Sequence, residues 1–197
     1  MEIQLKIGIY EGSIPPPVFI NNLLVGLAES EINVYLYGKA YKNGTLYTLP
    51  SICIRKFPQS KLGIILMSLG NIFELIVINK YSSFKILQDI NKRAGGFRKF
   101  FQRCNKVLPV FLDELDVLHI QWAKMLISYP EFINFLNCPI VLSLRGAQIN
   151  YSPLADRELA RNYQKYFSRV DMFHAVSTAI ITEAQKYSAD PRKINVI

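Results

Sequence analysis

The side chains best placed to do chemistry in this chain follow a short and nearly continuous apolar run. Residues 139–144 (PIVLSL) have the nearly continuous apolar composition of a strand buried on both faces, and Arg145-Gly146-Ala147-Gln148 follows directly. A guanidinium at the end of a strand can bind a phosphate or a carboxylate through two parallel hydrogen bonds. A surface arginine that pairs with a nearby carboxylate would give the same sequence, so both interpretations of Arg145 stay open.

Three other short segments follow predicted strands and could belong to the same site. They are Glu11-Gly12-Ser13, Gln121-Trp122 and Ser177-Thr178. In open parallel sheets, ligands bind outside the carboxyl ends of the strands. We therefore expect one binding cleft to be lined by Gly12, Ser13, Gln121, Arg145, Gly146, Gln148 and Ser177. The sequence assigns no catalytic residue.

Two histidines and the tryptophan also have a structural interpretation. His119 and His174 lie inside predicted strands, so we expect them to be core or interface residues rather than catalysts. Trp122 could stack on a sugar ring, but packing beneath the helix that follows is the interpretation we favour.

Common nucleotide-binding and hydrolase motifs are absent from the sequence. It contains no G-x-G-x-x-G, no G-x-x-x-x-G-K-[ST], no H-E-x-x-H and no G-x-S-x-G. Gly12 is followed by Pro15-Pro16-Pro17, which removes N–H donors from the place where the pyrophosphate of a dinucleotide would bind. We therefore expect no dinucleotide, no other cofactor and no metal.

A basic and aromatic segment, residues 91–106, is the second candidate functional region. Its cations are Lys92, Arg93, Arg98, Lys99, Arg103 and Lys106. Phe97, Phe100, Phe101 and Cys104 are interleaved at spacings of three and four, which on a helix makes an apolar stripe flanked by positive charge. Such a helix could lie on an anionic membrane, or its stripe could pack on the sheet. Nucleic-acid binding is not expected, because no recognition motif accompanies the charge.

The composition is that of a folded protein with an anionic partner. Half of the 197 residues are apolar, which excludes global disorder, and a formal charge of +8 favours polyanionic ligands or surfaces. Three widely spaced cysteines fit neither a disulfide framework nor a zinc cluster, so we expect a cytoplasmic protein. No signal peptide is visible. Residues 62–78 fall short of the roughly 20 residues of a spanning helix, so they predict a buried helix.

Predicted strands and helices alternate along the chain, which indicates an α/β fold. Residues 6–11 and 32–37 predict strands on either side of a helix at 18–29, and this β-α-β unit implies a parallel sheet. Further predicted strands are residues 116–122, 139–144 and 172–176, and further predicted helices are 61–80, 81–91, 123–135 and 154–168. An Asn43-Gly44 turn and short strands within 46–57 complete the prediction. The expected architecture is a Rossmann-like, doubly wound, mostly parallel sheet.

The last residues, 193–197 (KINVI), predict the opening of another strand after the helix that begins at Ser177 or Thr178. An α/β sheet rarely ends its chain by opening a strand. We therefore expect residues 1–197 to be one domain of a larger protein whose next domain lies beyond Ile197.

The order of these motifs resembles the N-terminal half of a GT-B glycosyltransferase of the large retaining family 4. The matching parts are KIGIYEG, INVYLYG, DVLHIQW, VLSLRGAQINYSP and VDMFHAVSTAIITEAQKYSADPRKINVI. The last is the most specific, because this family has a strand ending in Val-Ser before a helix and a K-I-x-V-I strand leading into its second domain. The match is weak between residues 39 and 115.

The resemblance implies a domain that binds the acceptor, a glycan or a lipid-linked glycan, on the cytoplasmic face of the plasma membrane. A second domain would bind the nucleotide-sugar, which is a substrate and not a cofactor, so this chain alone would be nearly inactive. The sequence departs from the family at EGSIPPPVF, where a glycine pair is frequent, and at Arg145, where a His-Gly-Ser-Asp-like loop is frequent. The alternative is a non-enzymatic Rossmann-like module that binds an anionic partner.

Overall fold

In the computed structural model, residues 4–41, 50–78 and 80–197 are described, and they form an α/β fold. Seven parallel strands are flanked by helices, which confirms the predicted Rossmann-like, doubly wound class. The strands are β1 (Lys6–Ile14), β2 (Asn33–Ala40), β3 (Ile52–Lys56), β4 (Val117–Ile120), β5 (Ile140–Leu144), β6 (Met172–Ala175) and β7 (Ile194–Val196). The predicted Asn43-Gly44 turn lies outside the described residues.

The described helices follow the strands in the alternating order that the sequence predicts. They are α1 (Val18–Glu29), α2 (Lys61–Ile78), α3 (Lys80–Ala94), α4 (Phe97–Leu112), α5 (Ala123–Ser128), α6 (Glu131–Phe135), α7 (Gly146–Asn150), α8 (Ser152–Ala155), α9 (Arg157–Phe167) and α10 (Ala179–Gln185). The chain divides into two compact units, Met1–Asp116 and Val117–Ile197. The first contains strands in the order β3-β2-β1, and the second contains β4-β5-β6-β7.

In the first unit, β1 is longer than predicted and includes Gly12 and Ser13, which we had expected in a loop. The register between β1 and β2 shifts between Tyr10 and Gly12, and Gly12 adopts a φ of 93°, a conformation that favours glycine. A Cβ on Gly38 of β2 would lie 2.9 Å from the backbone nitrogen of Ser13. The two strands continue past the predicted end because glycine at 12 and 38 permits the shifted register and the close approach.

Helices α2, α3 and α4 complete the first unit, and here one prediction is wrong. Helix α2 was expected to be buried, but only Ser68 and Leu75 of its residues are buried. Its apolar residues occur on every side, so packing against α4 covers one face and leaves the others exposed. The predicted break at Gly95-Gly96 is confirmed, because both residues have positive φ between α3 and α4.

In the second unit, two helices are shorter than predicted. The helix expected at 123–135 is divided into α5 and α6 at Tyr129-Pro130, since the residue before a proline is disfavoured in helical conformation. The helix expected at 154–168 is interrupted at Asp156, whose carboxylate accepts the backbone N–H groups of Glu158 and Leu159 at 3.0 Å each and so caps α9. The predicted final strand forms as β7, which pairs in parallel with β6.

Candidate functional site

Arg145 is held at the carboxyl end of β5 by two neighbours from the end of β4. Its Nη2 donates to Oε1 of Gln121 at 3.0 Å, and its guanidinium carbon lies 5.7 Å from the centroid of the Trp122 ring. Gln121 is fully buried, and partial burial lowers the pKa of Arg145 from its ordinary value. The guanidinium still carries its charge at neutral pH, so a partly desolvated cation is fixed at the strand end.

The residues after Arg145 form a short helix whose side chains connect to α5 and α9. Gln148 of α7 accepts the backbone N–H of Lys124 on its Oε1 at 3.2 Å, and its carbonyl oxygen accepts the Tyr163 hydroxyl at 3.1 Å. Apart from its chain neighbours and the backbone of its own helix, none of the described residues has an atom within 4 Å of the place where a Cβ on Gly146 would stand. Gln148 therefore braces the loop, while the backbone at Gly146 is open to an approaching group.

A hydrogen-bonded polar row crosses β4, β5 and β6 of the second unit. Nε2 of His119 lies 2.9 Å from Oγ of the buried Ser143, which lies 3.1 Å from Nδ1 of His174. Burial, followed by the charges of His174 and Arg145, lowers the pKa of His119 to about 3. Burial and Arg145 also lower the pKa of His174. Both imidazoles are therefore neutral at pH 7 and joined through one hydroxyl.

Sequence reasoning missed this row, although a signal for it is present. His119 and Gln121 are two residues apart, and so are Ser143 and Arg145; successive side chains of a strand alternate between its faces. Polar residues at alternate positions of two neighbouring apolar strands therefore predict one polar face that leads to the strand ends.

The predicted cleft residues divide between the two units. In the second unit, Gln121 and Arg145 are directly bonded, Gly146 and Gln148 lie on the helix that follows, and Ser177 is exposed just after β6. Because Leu144 pairs with Ala175 in register, Arg145 and Ser177 both follow the same edge of the sheet.

Gly12 and Ser13 belong to the first unit, where they lie within β1. The hydroxyl of Ser13 donates to the buried carboxylate of Glu11 at 2.5 Å, and the backbone N–H of Ser13 donates to the same oxygen. The Ser13 hydroxyl is thus engaged inside its own strand.

The basic segment forms the end of α3 and most of α4. Lys92, Arg93, Arg98 and Lys99 are exposed, whereas Arg103 and Lys106 are half-buried. Phe101 and Cys104 are buried in the first unit, so for these two residues the core-packing interpretation is correct and lipid contact is not available. Phe97 is exposed and packs edge-on against Phe101, with ring centroids 4.7 Å apart.

No protein-family model matches this chain, and no curated protein matches it either. The resemblance to the glycosyltransferases therefore stays a prediction. The protein has an α/β fold with a parallel, Rossmann-like sheet. Its clearest candidate site is the pair of Arg145 and Gln121 at the carboxyl ends of β5 and β4.

Proposed function

We propose that this chain is the N-terminal, acceptor-side domain of a GT-B glycosyltransferase of the retaining family-4 type. The whole protein would move a sugar from a nucleotide-sugar to a glycan or lipid-linked acceptor in cell-surface polysaccharide synthesis. The observation that carries the proposal is the Arg145 guanidinium, held by buried Gln121 at the carboxyl ends of parallel strands.

The pair suits a ligand rich in oxygen. A guanidinium has five N–H donors, and one of those of Arg145 donates to Gln121. Nε2 of Gln121 is itself buried, with no hydrogen-bond partner in the described parts of the chain. A buried donor without an acceptor costs free energy, so an incoming phosphate, carboxylate or sugar hydroxyl that reaches it is favoured.

The chemistry of the site fits a binding role better than a catalytic one. Neither Arg145 nor Gln148 is a base at neutral pH, and both histidines are bonded to Ser143 and have a lowered pKa, which makes them weak proton acceptors. In the retaining mechanism that the resemblance implies, the donor phosphate acts as the base. No residue of this chain then needs to take the proton of the acceptor, and the donor-binding glutamate pair belongs to a second domain.

Binding at Arg145 can be followed through the only tryptophan, Trp122, which lies against the guanidinium. We expect glucose 1-phosphate, used as a probe with both a phosphate and hydroxyls, to change the fluorescence saturably. The R145A variant should bind about tenfold more weakly or worse, because a charge-assisted hydrogen bond is lost. R161A, which removes an exposed arginine of α9, should bind like the wild type. Equal affinity of R145A and wild type would show that the site is misplaced.

The enzymatic proposal has a separate test in the full-length gene product. We expect the full-length protein, with the second domain that the resemblance implies, to release nucleoside diphosphate from a nucleotide-sugar when acceptor is present. R145A should reduce that turnover severely. A full-length protein that releases no nucleoside diphosphate from any nucleotide-sugar, while R145A still weakens anion binding, would overturn the glycosyltransferase proposal and leave the anion-binding module.

A further inference from the structure

Helix α2 carries a continuous apolar stripe on its outer side. Leu62, Ile65, Leu66, Leu69, Phe73 and Val77 recur at spacings of three and four, which places them on one face of a helix. All six are exposed, with 39% to 71% of each residue accessible to solvent. By length and composition, α2 is also the one helix among the described residues that could cross a membrane.

The inner face of α2 is held to α4 by polar contacts rather than by a purely apolar seam. Nδ2 of Asn105 donates to the Ile64 carbonyl oxygen at 2.7 Å and to Ser68 Oγ at 2.5 Å. Ser68 Oγ lies 2.8 Å from the carbonyl oxygen of Phe101, to which it donates. The helix therefore buries its hydroxyl and turns its largest apolar residues outward, the reverse of the pattern of a water-facing helix.

Helices α2, α3 and α4 together hold nearly all of the excess positive charge of the chain. Residues 61–112 contain nine Lys or Arg and two Asp or Glu, a net charge of +7 out of +8 for the whole chain. Exposed members of this set are Lys61, Lys85, Lys92, Arg93, Arg98 and Lys99. Two further aromatic residues of the same helices, Phe84 and Phe97, are also exposed.

We propose that the outer face of α2 lies in the interface of an anionic lipid bilayer, parallel to its surface, with the cations of α3 and α4 at the level of the lipid phosphates. This combination of an apolar face and surrounding cations is the pattern of an interfacial helix. The proposal is independent of the glycosyltransferase assignment. It also places the apolar contact on α2 and not on the phenylalanine stripe of α4, for which the sequence left membrane contact and packing on the sheet both open.

Two alternatives for the outer face of α2, contact with a second copy of the chain and a membrane-spanning orientation, fit the observations less well. A second copy of the chain would bring two segments of charge +7 together, which like-charge repulsion opposes. A spanning orientation would separate α2 from α4 and break the Asn105 and Ser68 hydrogen bonds. Its 18 residues would also reach only about 27 Å, against about 30 Å of hydrocarbon.

The test is sedimentation of the chain with vesicles of phosphatidylcholine and phosphatidylglycerol at a 7:3 ratio, with pure phosphatidylcholine as the neutral surface. We expect the wild type to bind the anionic vesicles and to be released by high salt. Leu69→Ser with Phe73→Ser should reduce partitioning about tenfold or more, since both side chains would bury their apolar area in lipid. The matched control is Tyr151→Ser with Leu154→Ser, which removes two apolar residues of the second unit that are at least as exposed as Leu69.

Charge is tested in the same assay. R98E with K99E should weaken binding to anionic vesicles about 30-fold or more, because each basic residue near the surface contributes attraction. R157E with R161E, on exposed positions of α9, makes the same change in net charge and should have a much smaller effect. Equal losses for the two pairs, or binding unaffected by either, would overturn the proposed surface.

Position is measured by replacing Phe73 with tryptophan and adding brominated lipids. Quenching of the new tryptophan, with Trp122 unaffected, supports the in-plane helix. A wild type that stays with the vesicles in carbonate at pH 11 would overturn the in-plane orientation in favour of a spanning one. A dimer by light scattering that Phe73→Ser converts to monomer, without vesicle binding, would assign the stripe to a second copy.

Discussion

Lowering the pH from 7.5 to 5 should destabilise the second unit, because His119 is buried there in its neutral form. The imidazole is surrounded by the Ser143 hydroxyl, by His174 and by the charge of Arg145. None of these groups is an anion that would stabilise the protonated ring. Burial is the largest cause of the lowered pKa, and the two cationic or titratable neighbours act in the same direction.

The size of the effect follows from the two pKa values of His119. In the unfolded chain the imidazole titrates at its ordinary pKa of 6.5, and in the folded unit the pKa is about 3. Between these values the unfolded chain binds a proton that the folded unit does not, so the stabilisation is complete above pH 6.5 and is lost as the pH falls toward 3. The expected loss from this residue is about 0.8 kcal/mol at pH 6 and about 2 kcal/mol at pH 5.

Trp122 makes the measurement specific to the second unit, because it is the single tryptophan of the chain. Urea unfolding followed by its fluorescence at pH 7.5, 6 and 5 should show the loss in the wild type. His119→Gln keeps a donor near Ser143 but does not titrate. As the pH falls, the free energy of unfolding of the wild type should therefore decrease more than that of His119→Gln, by the two amounts given above. His174 has a lowered pKa of the same sign and remains in both proteins, so the difference between them reports His119 together with its interaction with His174.

Identical pH dependence of the wild type and His119→Gln would refute this reasoning, since the imidazole would then be as easily protonated in the folded unit as in the unfolded chain. A double variant, His119→Gln with His174→Gln, is the control that removes both histidines of the sequence. Its free energy of unfolding should depend less on pH than that of the wild type or of His119→Gln. The pH dependence that remains in the double variant reports the carboxylates.

Two predictions concern the first unit and are measured by urea unfolding with far-ultraviolet circular dichroism. Asp113→Ala removes the buried carboxylate that accepts the Tyr37 hydroxyl at 2.6 Å and the Arg55 Nε at 2.9 Å, so it should cost about 3 kcal/mol, against about 1 kcal/mol for Tyr37→Phe. Equal costs would contradict the idea that one carboxylate serves both donors. Gly38→Ala should cost about 1–3 kcal/mol because its methyl would meet backbone atoms of β1, whereas Gly26→Ala, with open space around it in α1, should be neutral or stabilising. A neutral Gly38→Ala would mean that the strands separate easily there.

Local signals predicted the parts of the fold that depend on a few neighbouring residues. The Gly95-Gly96 break between α3 and α4 follows from the conformational freedom of glycine, and the final strand β7 follows from its apolar composition. The division of α5 from α6 at Pro130 also had its signal in the sequence, although the register of that segment was not predicted. Strands β1 and β2 extended beyond prediction because their pairing accommodates Gly12 and Gly38 at a shifted register, which neither strand reveals alone.

The candidate site was also predictable only in part, because local signals select its residues but not the contacts between them. The rule that ligands bind at strand ends selected Gln121, Arg145 and Gln148 from their positions after apolar runs. It did not predict that Gln121 and Arg145 bond to each other, or that Gln148 braces α5 and α9 through Lys124 and Tyr163. Those contacts join residues far apart in sequence, and only the packed second unit specifies them.

The sequence by itself determined that this protein is an α/β protein, because the alternation of apolar strands and amphipathic helices and the glycine and proline breaks act locally. The tertiary structure alone decided what is buried. The apolar residues of α2 predicted a core helix, yet α4 covers only the face that contains Ser68, and the outer face remains exposed. His119, Ser143 and His174 became one row because Ser143 pairs with His174, and because His119 pairs with Val141, which lies two residues before Ser143 on the same face of the sheet. Burial depends on which neighbours fill the space around a residue, and no local pattern contains that information.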